Sequence, residues 1–180
     1  MKVHNYFLKQ YLAQNINQYT ILPKDLIKYN SSDKVIVPEE SLNDLANNSK
    51  ENIYVLRLTN PKNSQQVYVS IGDFSAPHNN IFLPDWVMQS LTIKNNDMIH
   101  VDAVSVPPVS EVKIKIPKDI DQKDDIKVVI EFLLKNHTIL YIGKTISTRV
   151  FEKSFLFDIV DLKPGKVGTI ANLDVKLEIV

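Results

Sequence analysis

The feature that most limits what this chain can fold into is an internal repeat. Val35-Ile36-Val37-Pro38-Glu39-Glu40-Ser41-Leu42-Asn43-Asp44-Leu45 reads as a short buried strand running through a proline into a helix. Ile81-Phe82-Leu83-Pro84-Asp85-Trp86-Val87-Met88-Gln89-Ser90-Leu91 has the same construction 46 residues later. Proline suits the first helical turn, where its missing N–H costs nothing, and an acidic residue there faces the positive end of the helix dipole. The offset also pairs Leu42 with Met88 and Leu45 with Leu91. Downstream it pairs Ile53 with Ile99, Val55 with Val101, Leu58 with Val104 and Pro61 with Pro107. Two copies fall short of the three or so that a solenoid needs, so the repeat predicts one pseudo-symmetric domain. Its six residues Pro38, Leu42, Leu45, Pro84, Met88 and Leu91 are expected to be scaffold.

Around the repeat, the first 18 residues are hard to place. Tyr6, Phe7, Leu8, Tyr11 and Leu12 suggest an apolar helical stripe on an extension. Tyr19–Leu22 reads as a strand with its exit at Pro23-Lys24-Asp25-Leu26, and Asn30–Asp33 as a loop. From Gln66 to Ile71 apolar and polar residues alternate, as in a half-buried strand, and a strand Met98–Val106 follows the turn Asn95-Asn96-Asp97. Pro107-Pro108 marks a boundary. Beyond it Val112, Ile114 and Ile116 alternate with Lys113 and Lys115, lysines that would protect a sheet edge. After a charged loop, with Asp124 or Asp125 as a cap, Ile126, Val129, Ile130, Leu133 and Leu134 have helical spacing. Strands are expected at Ile139–Ile142, Thr145–Val150, Ser154–Val160 and Asp174–Val180. Lys163-Pro164-Gly165-Lys166 reads as a type II turn. The domains are therefore drawn as an extension at 1–18, the repeat domain at 19–106 and an α+β subdomain at 107–180.

Charge and composition exclude several functions. Residues 1–110 carry 9 basic and 10 acidic side chains and the remainder 12 and 11, so neither part has the basic footprint of a nucleic-acid binder. Absence of cysteine removes disulfides, zinc–thiolate sites and thiol nucleophiles. No apolar run approaches the roughly 20 residues that span a bilayer, so membrane insertion is not expected. Gly143-Lys144-Thr145 matches the tail of a phosphate loop, but Thr138 stands where that motif needs glycine; a turn between strands is the expected role. His4, His78, His100 and His137 lack ligand spacing; His78 is expected in a solvated loop and His100 in packing. Asp73, Asp85, Asp97 and Asp102 are the carboxylates nearest the repeat, yet no Asp-Thr/Ser-Gly triplet and no Gly-x-Ser-x-Gly elbow occurs. Asp85 is expected as a helix counter-charge and Trp86 as core. No catalytic, cofactor or metal residue is assigned, which leaves binding or assembly.

Further runs narrow the choice: Ile36-Val37-Pro38 with Leu42 and Leu45, Leu56-Arg57-Leu58-Thr59-Asn60, Leu83–Leu91, Val101-Asp102-Ala103-Val104, Val129–Asn136 and Leu162-Lys163-Pro164. Together they resemble the amino-terminal domain of the ubiquitin fusion degradation protein 1 family, over residues 19–180 and most specifically at 82–91. The resemblance implies a β-rich α+β fold, a double-psi β-barrel subdomain followed by a smaller mixed α+β subdomain, similar also to the amino-terminal domains of the valosin-containing AAA ATPases. It implies a non-catalytic adaptor that binds ubiquitin and ubiquitin chains. Such an adaptor delivers tagged proteins to the valosin-containing AAA ATPase with a nuclear-protein-localisation partner, in the cytoplasm, at the cytosolic face of the endoplasmic reticulum and in the nucleus. The surface near Val106–Ile116, between the two lobes, is the expected contact; no contacting residue is named. Two departures stand out. The family's ATPase-binding tail has no counterpart up to Val180: either the chain is an excised domain or its ATPase link is unproven. The first 18 residues lack a family counterpart, as in an organelle-specific variant. Rival readings are a docking domain of a larger AAA machine and an enzyme on the same barrel.

Overall fold

Twelve of the seventeen elements among the described residues are strands, because β-branched and aromatic residues recur between turn-forming Asn, Pro and Gly. A computed structural model describes residues 1–18, 23–48, 54–118, 120, 126–150, 153–171 and 174–180. These residues form two compact units, Met1–Ser105 and Val106–Val180. The expected strand at 19–22, the repeat residue Ile53 and the caps Asp124 and Asp125 lie outside the described residues.

The first unit consists of two matching halves. One is β1 (Lys2–Asn15), β2 (Lys34–Pro38), α1 (Glu40–Asn48) and β3 (Val55–Thr59). The other is β4 (Gln66–Ala76), β5 (Asn80–Leu83), α2 (Asp85–Leu91) and β6 (Met98–Ser105). The six strands close into a barrel in the order β1-β5-β2-β4-β3-β6. Exchanging the halves leaves that order unchanged. The first strand of each half runs parallel to the second strand of the other, β1 with β5 and β4 with β2. The second strands meet at Ile36 opposite Phe82, 46 residues apart. Pseudo-symmetry read from the sequence is thus built into the pairing.

The single offset does not survive along the whole repeat. Leu56 and Leu58 point into the barrel from β3, with Arg57 and Thr59 outward; on β6 the inward residues are Ile99, Val101 and Ala103. Side chains alternate with period two, so the inward sets differ by an odd number of residues. Pairing Val55 with Val101 therefore joins opposite faces. The helices differ in length, nine residues in α1 against seven in α2, and the slip lies between the second and third strands of each half.

The amino terminus is the largest correction. Residues 2–15 form the longest strand of the barrel, not a helical stripe on an extension. Phe7, Tyr11 and Ala13 are buried, while Leu8 is exposed, which is strand alternation interrupted by a bulge between His4 and Leu8. Hydrogen bonding to both β5 and β6 decides the matter, because the ring cannot close without it. A 3-10 segment, Lys24–Ser31, takes in the first two residues of the expected loop Asn30–Asp33, and Ser32 and Asp33 form a bend. Its Leu26 joins Ile16, Ile36, Ala76 and Phe82 in a buried cluster. Leu42, assigned to scaffold, is 40% exposed, whereas its repeat mate Met88 is buried.

The second unit is a four-stranded sheet in the order β12-β7-β10-β9, a β8–β11 pair and one helix. Its elements are β7 (Glu111–Lys115), α3 (Ile126–Lys135), β8 (Ile139–Tyr141), β9 (Thr145–Val150), β10 (Lys153–Lys163), β11 (Val167–Thr169) and β12 (Lys176–Ile179). Val112, Ile114, Ile130, Leu140, Phe157 and Ile159 form the core. β7 is an interior strand, not an edge, since β12 and β10 flank it. Lys163–Lys166 is no type II turn: the Lys163 carbonyl accepts from the Ser110 N–H, and residues 164–166 form a bend. Gly168 on β11 has no room for a side chain, because a Cβ would lie 2.6 Å from Val109 Cγ2 and 2.7 Å from the Pro107 carbonyl oxygen.

Candidate functional site

The outer wall of the barrel brings together runs that are far apart in sequence. Antiparallel register places Leu8 opposite Asp102, Asp102 opposite Arg57 and Arg57 opposite Tyr68, one row across β1, β6, β3 and β4. The Arg57 guanidinium donates from Nε (3.0 Å) and Nη2 (2.8 Å) to the same Asp102 oxygen. Neither residue's spacing announced this pair. Two facing strands, each carrying one charge among apolar residues, were the available signal. The next row is Gln10, His100, Thr59 and Gln66, with Gln10 Nε2 3.3 Å from His100 Nε2. Leu12 opposite Met98 completes the face. Leu8 is 56% and Met98 41% exposed. His100 points outward, so its expected role in packing is wrong; period-two alternation puts it beside Met98 and Asp102.

At one end of α2 the sequence candidates have structural tasks. The Asp85 carboxylate accepts from Asn15 Nδ2 and Asn17 Nδ2 (both 2.6 Å) and from Asn30 Nδ2 (2.9 Å), while the Asp85 N–H donates to Asn30 Oδ1 (2.8 Å). Burial pushes this carboxyl up, but the donors from Asn15, Asn30 and Asn17 outweigh it and hold its pKa below the ordinary aspartate value. Half-buried Trp86 donates from Nε1 to the Ser32 carbonyl (2.8 Å). Buried Asn60, the end of the Leu56–Asn60 run, donates to the Leu91 carbonyl at the other end of α2 (2.8 Å), satisfying a carbonyl that the helix leaves open.

The remaining candidates are dispersed. Asp97 accepts from the Lys94 N–H and from Lys62 Nζ (both 2.9 Å), and Asp73 lies on β4 opposite Ile36. His78 pairs with Glu40 at the surface, and His137 is buried in the second unit. Gly143 turns the chain between β8 and β9 at φ 89°. Lys144 is buried and donates from Nζ to the Ile139 carbonyl (2.6 Å), so its ammonium is turned into the unit instead of toward a phosphate. Among the described residues no group of three His, Asp and Glu side chains could hold a metal ion. In the expected contact segment Val112 and Ile114 belong to the core, whereas Glu111 pairs with Lys163 (2.6 Å) and Lys113 with Glu178 (2.9 Å). An open cleft of about 910 Å³ in the second unit is lined by Leu134, Ile170 and Val175 together with Glu131, Lys135 and Asp174.

Comparison with known proteins gives the barrel a family. Residues 8–107 match the family model described as "Ubiquitin fusion degradation protein UFD1, N-terminal subdomain 1". The chain belongs to the ubiquitin fusion degradation protein 1 family. Relatives include the human protein named ubiquitin recognition factor in ER-associated degradation protein 1, 24% identical over 97% of this chain and 57% of its own length. The ubiquitin fusion degradation protein 1 homolog of Caenorhabditis elegans is 28% identical over 83% of this chain and 44% of its own. The Saccharomyces cerevisiae ubiquitin fusion degradation protein 1 is 26% identical over 75% and 38%. The chain thus spans about half the length of the curated relatives it matches. The family match begins at Leu8, inside β1, and gives residues 8–18 a counterpart, against the expectation that the first 18 residues have none.

Proposed function

We propose that this member of the family is a non-catalytic adaptor module that binds ubiquitin and ubiquitin chains and presents tagged proteins to a AAA ATPase unfoldase for extraction and degradation. One observation carries the reading: the family match over residues 8–107, in company with a relative named as a ubiquitin recognition factor. The barrel is assigned to the double-psi kind. An exchange-symmetric strand order and the two parallel pairs β1–β5 and β2–β4 support that assignment.

Recognition of this kind needs no titrating group. A small apolar patch with a polar rim buries too little area for a tight complex and falls in the weak, transient class. Ubiquitin chains then gain through effective concentration, since one engaged unit holds the next nearby. The valosin-containing ATPase and the nuclear-protein-localisation protein are the proposed downstream partners. The cytosolic face of the endoplasmic reticulum is the proposed place of work, in keeping with the name of the human relative. No helix among the described residues is long and apolar enough to cross a membrane.

The test is a residue-resolved NMR titration of the 180-residue chain with ubiquitin and with ubiquitin chains. The expected result is saturable shifts with both, a tighter apparent Kd for chains and no turnover of either ligand. Unchanged spectra with both ligands would rule the reading out.

A further inference from the structure

We infer that ubiquitin docks against the outer face of β1 and β6, with Leu8 and Met98 as its apolar anchors. The inference rests on the ubiquitin reading above and adds the surface. Around the closed ring the paired strands β1 and β6 present a wall of outward side chains, which a folded partner engages through apolar anchors with polar neighbours. Among the described residues of the unit, six large apolar side chains are exposed: Met1, Val3, Leu8, Ile27, Leu42 and Met98. Val3, Leu8 and Met98 lie on the paired strands β1 and β6, and the register turns them to one face. Ile27 and Leu42 stand alone on separate elements, as scattered surface hydrophobics do.

Charge selects the kind of partner. The only opposite charges in the central row, Arg57 and Asp102, neutralise each other, and Lys9 of β1 is taken by Asp44 of α1 (2.6 Å). Gln10 and His100 form a polar row between Leu8 and Met98, with Thr59 beside it. Such a face suits the apolar patch of a folded protein and offers nothing to a phosphate backbone or an anionic bilayer. The family match starts at Leu8 and includes all of β6, so both anchors lie within the part of the chain shared with a relative named for ubiquitin recognition.

The titration with monomeric ubiquitin separates this surface from the reading beneath it. Shifts are expected at Leu8, Gln10, Leu12, Met98 and His100. Leu8→Asp and Met98→Asp should each weaken binding about tenfold or more, as loss of a central anchor does. Leu156→Asp, at an exposed position of β10 in the second unit, should leave Kd unchanged. Retained peak dispersion in each variant shows that the barrel has folded. Shifts confined to other surfaces, or folded Leu8→Asp and Met98→Asp proteins that bind normally, overturn the β1–β6 assignment while the ubiquitin reading stands. No shifts anywhere overturn both.

Discussion

Three asparagine amides converge on Asp85, and this cage shows what a single side chain does for the fold. It ties the end of β1, the 3-10 segment Lys24–Ser31 and the start of α2 together. Asp85→Ala leaves three amide donors facing a gap, and is expected to cost roughly 1–3 kcal/mol, the range for lost bonds to a charged group; thermal unfolding would measure it. Its pH dependence has a definite sign. The folded carboxyl titrates below the unfolded value of about 3.9, so its contribution is present above that value and is lost as pH falls through the folded pKa. The difference in stability between the parent and Asp85→Ala should therefore shrink on acidification below about pH 4. Asp85 was legible as a helix counter-charge because that rule is local. Its three partners were not, since they come from 55 to 70 residues away.

At the scale of elements, β1 separates what patterning can and cannot say. Tyr6, Phe7, Leu8, Tyr11 and Leu12 fit a helical stripe, and a strand with a bulge also accommodates them. Short apolar runs are ambiguous by periodicity alone. The two structures predict different mutants. In the strand, Phe7→Ala removes a fully buried ring and should cost about 3–5 kcal/mol, while Leu8→Ala, at a mostly exposed position, should stay within about 0.5 kcal/mol. A helical stripe would make the two similar; paired denaturation curves distinguish them. α3, by contrast, was readable from its spacing because five apolar residues mark one face. β11 escaped notice, as three residues around Gly168 carry too little pattern.

For the whole molecule the balance of charge matters more than any pair. With 21 basic and 21 acidic residues in all, binding of a protein partner should respond weakly to salt. We expect ubiquitin affinity to change by less than about threefold between 50 and 200 mM salt, against roughly 10³–10⁵ for a protein gripping several phosphates. Titrations repeated across that range measure it.

The sequence by itself determined that a strand–proline–helix unit occurs twice, that the chain has a β-rich pseudo-symmetric domain followed by an α+β region, and which family it resembles. These follow from short-range rules, namely side-chain period, caps and turns, applied to a repeat. Tertiary structure decided the rest. It made the amino terminus a wall of the barrel, set β3 and β6 out of step with the 46-residue offset, paired Arg57 with Asp102 and turned Leu8, His100 and Met98 to one surface. The reason is physical: inter-strand pairing joins residues about 40 to 100 positions apart, and a shift of one residue exchanges the buried and exposed faces. Only the closed ring selects which shift is real.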